Sequence, residues 1–439
     1  MASTEPGVVA LPQAVGGARW SRLIPVAIIV YIISFMDRTN IAFAFAGMGH
    51  DLGISKTQQG LAGGIFFIGY LTLQIPGGHL AEHWSAKKFV GIMICIWGAL
   101  ATLSGFVHTF TQLLVVRFLL GIAEAGIWPA ILVLISHWFP VRERARAYGF
   151  WIMNIPLASM LTAPLSGWIL TFGSWRTLFI IQGLFPFVIA APLWWLLIAD
   201  HPREAPWCSL AEREYLERSL AAERAAHPPA GGFGDILRNS VVWRLTAVYF
   251  LIQVGFYGLN LWLPHVVQEI TSGSIWEVGL VTAIPYAFAM AGLWLNARAS
   301  DRTGRYSRQV FISMLLAAIS LVASVSIGTA VPALAIFLIS LAMGGALAYD
   351  GPFWASASRA MPAALAGGAM GLINAIGNLG GFAGPYLGGY LQDRSHGSFV
   401  TTSLVLAASL FAAGLLMMTL RRRGDRPVAP LADVMPVEP

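Results

Sequence analysis

Apolar runs and polar breaks alternate along the whole chain, and twelve of the runs are long. They cover residues 22–47, 58–80, 88–108, 112–138, 146–172 and 176–198, then 243–268, 276–298, 309–328, 332–357, 365–390 and 399–420. An α-helix of about 20 residues crosses the hydrocarbon core of a bilayer, so each run predicts one crossing. The polar stretch 199–242 divides six runs from six. The pattern predicts an all-α membrane protein, with twelve transmembrane helices in two six-helix bundles, 22–198 and 243–420. A cytoplasmic tail (1–21), a cytoplasmic central loop (199–242) and a second cytoplasmic tail (421–439) complete the chain.

The central loop has a helical pattern of its own. In SLAEREYLERSLAAERAA, Ser209 stands three residues before Glu212, as in a capping box. Leu210, Tyr215, Leu216 and Leu220 recur near helical spacing. We expect an amphipathic helix on the cytoplasmic surface, serving as a structural tether rather than a regulator. HPPAGGFG (227–234) follows as a flexible joint.

Composition strengthens the membrane reading. Of 439 residues, 57% are hydrophobic and 11% charged, against about 25% charged in soluble domains. The net charge of +6 would suit a nucleic-acid binder, but its placement argues for topology instead. With the N-terminus in the cytoplasm, 22 of the 27 Lys and Arg fall in cytoplasmic loops and tails, and only Lys56, Arg176 and Arg394 on the far side. That is the positive-inside pattern of an inner-membrane protein. The first run is too long for the apolar core of a cleaved signal. Cys95 and Cys208 form neither a disulfide framework nor a metal cluster.

A few ionisable residues lie deep within the runs. SFMDRTN (34–40) places Asp37 and Arg38 in the first, RFLLGIAEAGIWP places Arg117 and Glu124 in the fourth, and LAYDGPFWASAS places Asp350 in the tenth. A charge at the centre of a membrane helix costs at least ~2.5 kcal/mol on insertion scales. Arg117 and Glu124 share a helix face about 10 Å apart along the axis, too far to pair directly in a straight helix. Asp37 and Arg38 point about 100° apart and so meet different partners. One arrangement turns Arg38 to a central cavity and Asp37 to the fourth helix. The four charges either neutralise one another to join helices or mark a substrate and proton pathway. Apolar packing would join helices without the desolvation cost, which favours the pathway. Asp350 reads equally as a cavity carboxylate or as a helix-end residue in contact with water.

The C-terminal half offers Tyr257, Asn260 and Trp262 in GFYGLNLWLP, then Trp354, then Asn374 and Asn378 in GLINAIGNLGG. A cavity between the halves is then charged on one wall and aromatic and amide-lined on the other, which suits an amphipathic anion. Most of the 16 Trp are expected at bilayer interfaces. There is no Walker loop, no HExxH and no GxSxG, and the His are scattered. We therefore expect no enzyme, no metal and no cofactor beyond protons as coupling ion. GGHLAEHWSAKKF after the second run and LNARASDRTGRYSR after the eighth form a faint parallel repeat, with Glu82 opposite Asp301 and Ser85 opposite Gly304.

These residues resemble the major facilitator superfamily, and within it the anion:cation symporter family. YIISFMDRTNIAFA is similar to that family's first-helix signature, supported by FFIGYLTLQIPGG, RFLLGIAEAGIWP and YGLNLWLP. The resemblance spans all twelve runs. It implies proton symport of a small organic carboxylate by alternating access, through a protein expected to be a monomer with no nucleic-acid partner. It casts Asp37 and Glu124 as proton-titrating acids, Arg38 as the carboxylate ligand and Arg117 as the arginine coupled to Glu124. Tyr70, Trp354 and Asn374 match substrate-pocket positions, and Asn154 matches loosely. Tyr257, Asn260 and Asp350 are additional candidates. The superfamily's loop pattern Gly-x-x-x-Asp-Arg-x-Gly-Arg survives in the second half as Asp301, Arg302, Gly304 and Arg305, an expected gating loop. In the first half it is degraded. Gly351 and Pro352 place little hydroxyl chemistry near the pocket, which favours an aromatic carboxylate such as phthalate over sugar acids or tartrate. The alternative is a proton-coupled exporter on the same fold.

Overall fold

The computed structural model describes residues 17–226, 233–361 and 363–420. They fold into helices, which we number by membrane crossing. The first six are α1 (Ala18–Leu52), α2 (Lys56–Leu80), α3 (Ala86–Leu103), α4 (Phe110–Ala125 continued by Ile127–Trp138), α5 (Val141–Ile152 continued by Asn154–Phe172) and α6 (Trp175–Phe185, running on to Ala191–Leu197). The second six are α7 (Ser240–Thr271), α8 (Ile275–Thr303), α9 (Tyr306–Ile327), α10 (Pro332–Leu347 and Asp350–Arg359), α11 (Ala363–Gly377 and Gly380–Arg394) and α12 (Val400–Met418).

By length and hydropathy alone the described residues hold ten candidate spans, one of them the 51-residue stretch Lys56–Phe106. A straight helix of that length would be more than twice as long as a bilayer core is thick. It turns back at Ser85, whose backbone is extended (φ −173°, ψ 120°). Phe89 then lies against Gly77, twelve residues earlier. That stretch is two crossings, and α11, interrupted midway, is the twelfth.

The molecule is apolar outside as well as inside. Val188, Leu196, Trp168, Phe172, Leu295 and Ile319 are all more than half exposed. Lipid is the solvent for such a surface. Polar groups collect inside, where backbone and side chains satisfy one another.

Four helices that the sequence pattern predicts as continuous are interrupted. The breaks fall at Gly126 in α4, Met153 in α5, Ala348–Tyr349 in α10 and Asn378–Leu379 in α11. They are the same two members of each six-helix set, as a parallel repeat requires. Three of them stand three residues before a proline (Pro129, Pro156 and Pro352), which lacks the amide that would bridge the break and crowds the carbonyl there; the break in α11 has no such proline. The break residues adjoin the side chains that line the central cavity.

The bundles are sealed together on the side opposite the chain ends. There α2 crosses α11 so closely that a Cβ on Gly60 would overlap the Pro385 carbonyl, and one on Gly389 the Lys56 carbonyl. Asp393, at the end of α11, accepts hydrogen bonds from Lys56 N (3.1 Å) and Thr57 N (2.8 Å) and also from the Thr57 hydroxyl. It caps the free amides at the start of a helix in the other bundle, where a carboxylate also complements the helix dipole.

The central helix, Leu210–Ala226, begins as expected with Ser209 Oγ accepting from Glu212 N (3.2 Å). It lies against the first bundle. Arg19, at the start of α1, donates to Glu212 (2.6 Å) and to Glu143 of α5 (2.7 Å). Glu223 accepts from Arg144 of α5 (3.2 Å). Leu216 and Leu220 are buried, but Leu210 is 70% exposed, so the apolar face is narrower than its spacing suggests. The helix docks on the first bundle by ion pairs, the Arg19–Glu212 pair buried and the Arg144–Glu223 pair partly exposed. Most of the joint expected at 227–234, residues 227–232, lies outside the described residues.

Candidate functional site

A cavity lies between the two helix sets, lined by side chains from both. It is small in this conformation, about 40 Å³, room for about three waters. An organic solute enters only when the walls separate.

One wall is built on α1. Arg38 is buried by Tyr31, Phe35 and Phe66, with the Tyr70 ring 4.7 Å from its guanidinium carbon. Such π faces hold a cation without neutralising it. Its Nε donates to Glu124 Oε2 (2.9 Å), and Ser34, one turn earlier on α1, donates to the same oxygen (2.8 Å). Arg38 Nη2 and Glu124 Oε1 are buried without a hydrogen-bond partner. A hidden unused donor on a cation costs free energy, and here it lies on a residue that lines the cavity.

Glu124 is fully buried, in the last turn before the break at Gly126. Its partner is Arg38 of α1 and not Arg117 of its own helix. Arg117 instead donates Nη1 to the backbone carbonyl of Asp37 (2.8 Å), under the Phe66 ring. Asp37 is turned away from the cavity, as the 100° rotation from Arg38 requires. It accepts from Asn40 (3.4 Å), whose amide also donates to Gln182 of α6 (2.9 Å). Gln182 in turn donates to Ser166 of α5 (3.1 Å). This polar chain ties α1, α6 and α5 together behind the cavity wall.

The facing wall is an amide and phenol network. Tyr349 of α10 donates to Gln253 of α7 (3.2 Å), and Gln253 to Asn378 of α11 (3.0 Å). Asn378 donates to Asn374 Oδ1 (3.1 Å), which also accepts from Tyr249 of α7 (3.2 Å). Tyr257 and Asp350 complete this wall. Tyr249, Gln253 and Tyr349 were not singled out by sequence. Two signals bear on them: Tyr249, Gln253 and Tyr257 share one face of α7 by i, i+4 spacing, and Tyr349 abuts Asp350.

Three expected pocket residues lie elsewhere. Asn154 donates its amide to the Trp151 carbonyl (2.5 Å) at the α5 break, bonding its own helix; Ile152 and Ile155 line the cavity in its place. Trp354 stands behind Asp350 and donates Nε1 to its Oδ1 (3.1 Å). Asn260 accepts from Tyr286 of α8 (2.7 Å), inside its own bundle. Arg38, Tyr70, Tyr257, Asp350 and Asn374 are brought together around the cavity.

The two repeat loops differ. Gly304 ends α8 in the left-handed region (φ +63°), which explains the glycine there, and Asp301, Arg302 and Arg305 are exposed beside it. In the first half, Ser85 caps α3 by accepting from Lys88 N (2.9 Å), and Asp200 after α6 accepts from Lys87 N (2.8 Å). These contacts stay within one bundle. Among the described residues no group of three or more His, Cys, Asp or Glu is placed to hold a metal ion.

Comparison with known proteins agrees with this architecture. The family model described as Major Facilitator Superfamily matches residues 27–385. A protein of Agrobacterium vitis named as a tartrate transporter is 33% identical over 91% of this chain and 93% of its own. A protein of Acinetobacter baumannii named as a quinolone resistance transporter is 30% identical over 90% of this chain and 91% of its own. Among solved structures, the xylose transporter XylE from E. coli in its inward open conformation superposes with a TM-score of 0.74. It covers 91% of this chain and 95% of its own at 15% identity, a likeness of fold.

Proposed function

The chain belongs to the Major Facilitator Superfamily, and from that premise we propose that it carries a small organic carboxylate into the cell together with protons. It is a membrane-embedded transporter, not an enzyme, and needs no cofactor. We place it in the inner membrane as a monomer with both termini cytoplasmic, so that the side sealed by α2 and α11 is periplasmic.

The observation that carries the reading is the Arg38 guanidinium: one nitrogen on Glu124, another buried and unpartnered, on a residue that lines the cavity. A planar guanidinium binds a carboxylate through two parallel hydrogen bonds. A substrate carboxylate reaching Nη2 competes with Glu124 for the same cation. Burial favours the neutral form of a carboxyl group and a nearby arginine the charged form. Glu124, losing its share of Arg38, takes up a proton. The loaded carrier, with its charges compensated, then rocks between its two faces. Asp37 is the second acid in this scheme, coupled through Arg117 and the Asn40–Gln182 chain, and Tyr70, Tyr257 and Asn374 hold the body of the substrate. Asp301, Arg302 and Arg305 act at the cytoplasmic gate.

Tyr31, Tyr70, Trp128, Tyr249 and Tyr257 around the cavity favour an aromatic carboxylate. The relative named for tartrate keeps hydroxy acids as the rival substrate class. The relative named for quinolone resistance supports a second reading, export by the same helices. Uptake into proteoliposomes of labelled phthalate, hydroxyphenylacetate, tartrate, galactonate and glucarate, with and without an imposed proton gradient, decides among them. Gradient-driven accumulation of one aromatic anion supports the proposal. Accumulation of tartrate alone refutes the aromatic preference. No uptake of any by folded protein refutes import of these five anions.

A further inference from the structure

Asp350 is a buried carboxyl group that the coupling scheme leaves unused. It lines the same cavity as Arg38, but from the other bundle. It is only 7% exposed, and its hydrogen bond comes from the neutral indole of Trp354. Among the described residues it forms no ion pair, unlike Glu124, which has Arg38. Its place on the helix supports the charged form: it is the first residue of Asp350–Arg359, where the helix dipole favours an anion. A buried carboxylate without a cation is costly, and this one sits where a transported solute passes.

The space between Arg38 and Asp350 is bounded by aromatic faces, Tyr31, Tyr70, Trp128, Tyr249 and Tyr257 among them. A cavity with a guanidinium on one bundle, a carboxylate on the other and aromatic residues in its lining is complementary to a solute that carries both signs of charge. We infer that the transported substrate is an amphoteric aromatic carboxylate, its carboxylate on Arg38 and a cationic nitrogen on Asp350. The inference rests on the carboxylate reading of Arg38 and narrows it. The aromatic walls add cation–π attraction for the nitrogen. Asp350 repels the second carboxylate of a dianion, so phthalate and tartrate are poor ligands.

The test is equilibrium binding of two labelled probes of matched shape, 4-(aminomethyl)benzoate and 4-methylbenzoate, to the purified full chain. The wild type is expected to bind the amino probe about tenfold tighter, the worth of one charge-assisted hydrogen bond. Asp350→Asn brings the two probes within about twofold of each other, and Asp350→Glu restores the preference. Equal affinities in the wild type, or a preference that survives in Asp350→Asn, overturn the inference alone, provided 4-methylbenzoate binding is still lost in Arg38→Gln. Binding of neither probe, by protein that keeps its melting transition, overturns the carboxylate reading and this inference with it.

Discussion

Replacing Arg38 by lysine keeps the charge and removes the geometry. In the structure Nε is committed to Glu124 at 2.9 Å, and Nη2 is an unused donor on a residue that lines the cavity. A lysine ammonium is a single point donor and cannot span both sites from the same backbone position. Its ammonium turns either to Glu124 or to the substrate. The lost contact is a hydrogen bond between charged groups, worth about 1.5–3 kcal/mol. At 1.36 kcal/mol per factor of ten, substrate affinity falls roughly 10- to 160-fold. Folding is spared, because the cation still sits among Tyr31, Phe66 and Tyr70. The assay is counterflow in proteoliposomes, where labelled anion exchanges against unlabelled anion without net proton movement and half-saturation reports binding. Arg38→Lys with wild-type half-saturation refutes the claim that the guanidinium serves Glu124 and the substrate from separate nitrogens.

Further outcomes follow from the same geometry. Glu124→Gln keeps a hydrogen-bond partner for Arg38 but cannot titrate, so acid-driven accumulation is abolished while counterflow persists; accumulation at the wild-type level removes Glu124 from the coupling. Asp393→Ala uncaps α2 and weakens the seal opposite the chain ends. Cap deletions cost about 0.5–2 kcal/mol and Asp393 is exposed, so a cavity cysteine at position 257 should react about two- to fivefold faster with an impermeant maleimide added from that side. An unchanged rate shows that the cap does not hold the seal. Gly60→Val collides with the Pro385 carbonyl and should lose transport at normal membrane levels, by excluding this conformation; full transport would mean the α2–α11 contact is dispensable. Glu212→Gln removes one carboxylate from buried Arg19, and trypsin should then cut within Leu210–Ala226 several times faster in otherwise folded protein, whereas unaltered cleavage would leave the helix docked by other contacts.

The fold was legible because the bilayer imposes it. A crossing needs an apolar run of fixed length, and runs of that length are countable without knowing any contact. Three of the four interruptions carry a sequence signal: Pro129, Pro156 and Pro352 follow Gly126, Met153 and Tyr349 by three residues and remove the amide that would bridge each break. The one at Asn378–Leu379 has no such proline. The ionisable residues of the site stood out because a charge in hydrocarbon is anomalous by itself. Their pairing was only half legible: the 100° rotation separates Asp37 from Arg38, but that Glu124 chooses Arg38 and that Arg117 serves a backbone carbonyl depends on how α1 meets α4. Uncharged polar groups were the hardest. Gln253, Tyr249 and Tyr349 belong to the second wall, yet an isolated amide or phenol in an apolar run looks the same whether it faces a cavity, as Gln253 does, or its own helix, as Asn154 does. The central helix was found by its cap and spacing, but its docking through Arg19 needed contacts 124 and 193 residues apart in sequence.

The central claim is that an anion reaching Arg38 makes Glu124 take up a proton. The most direct measurement is the pH of a weakly buffered solution of purified protein on adding the transported anion. The account predicts uptake of about one proton per carrier on binding, two if Asp37 follows, and no uptake by Glu124→Gln even where the anion still binds. Binding without proton uptake by the wild type, or undiminished uptake by Glu124→Gln, contradicts it.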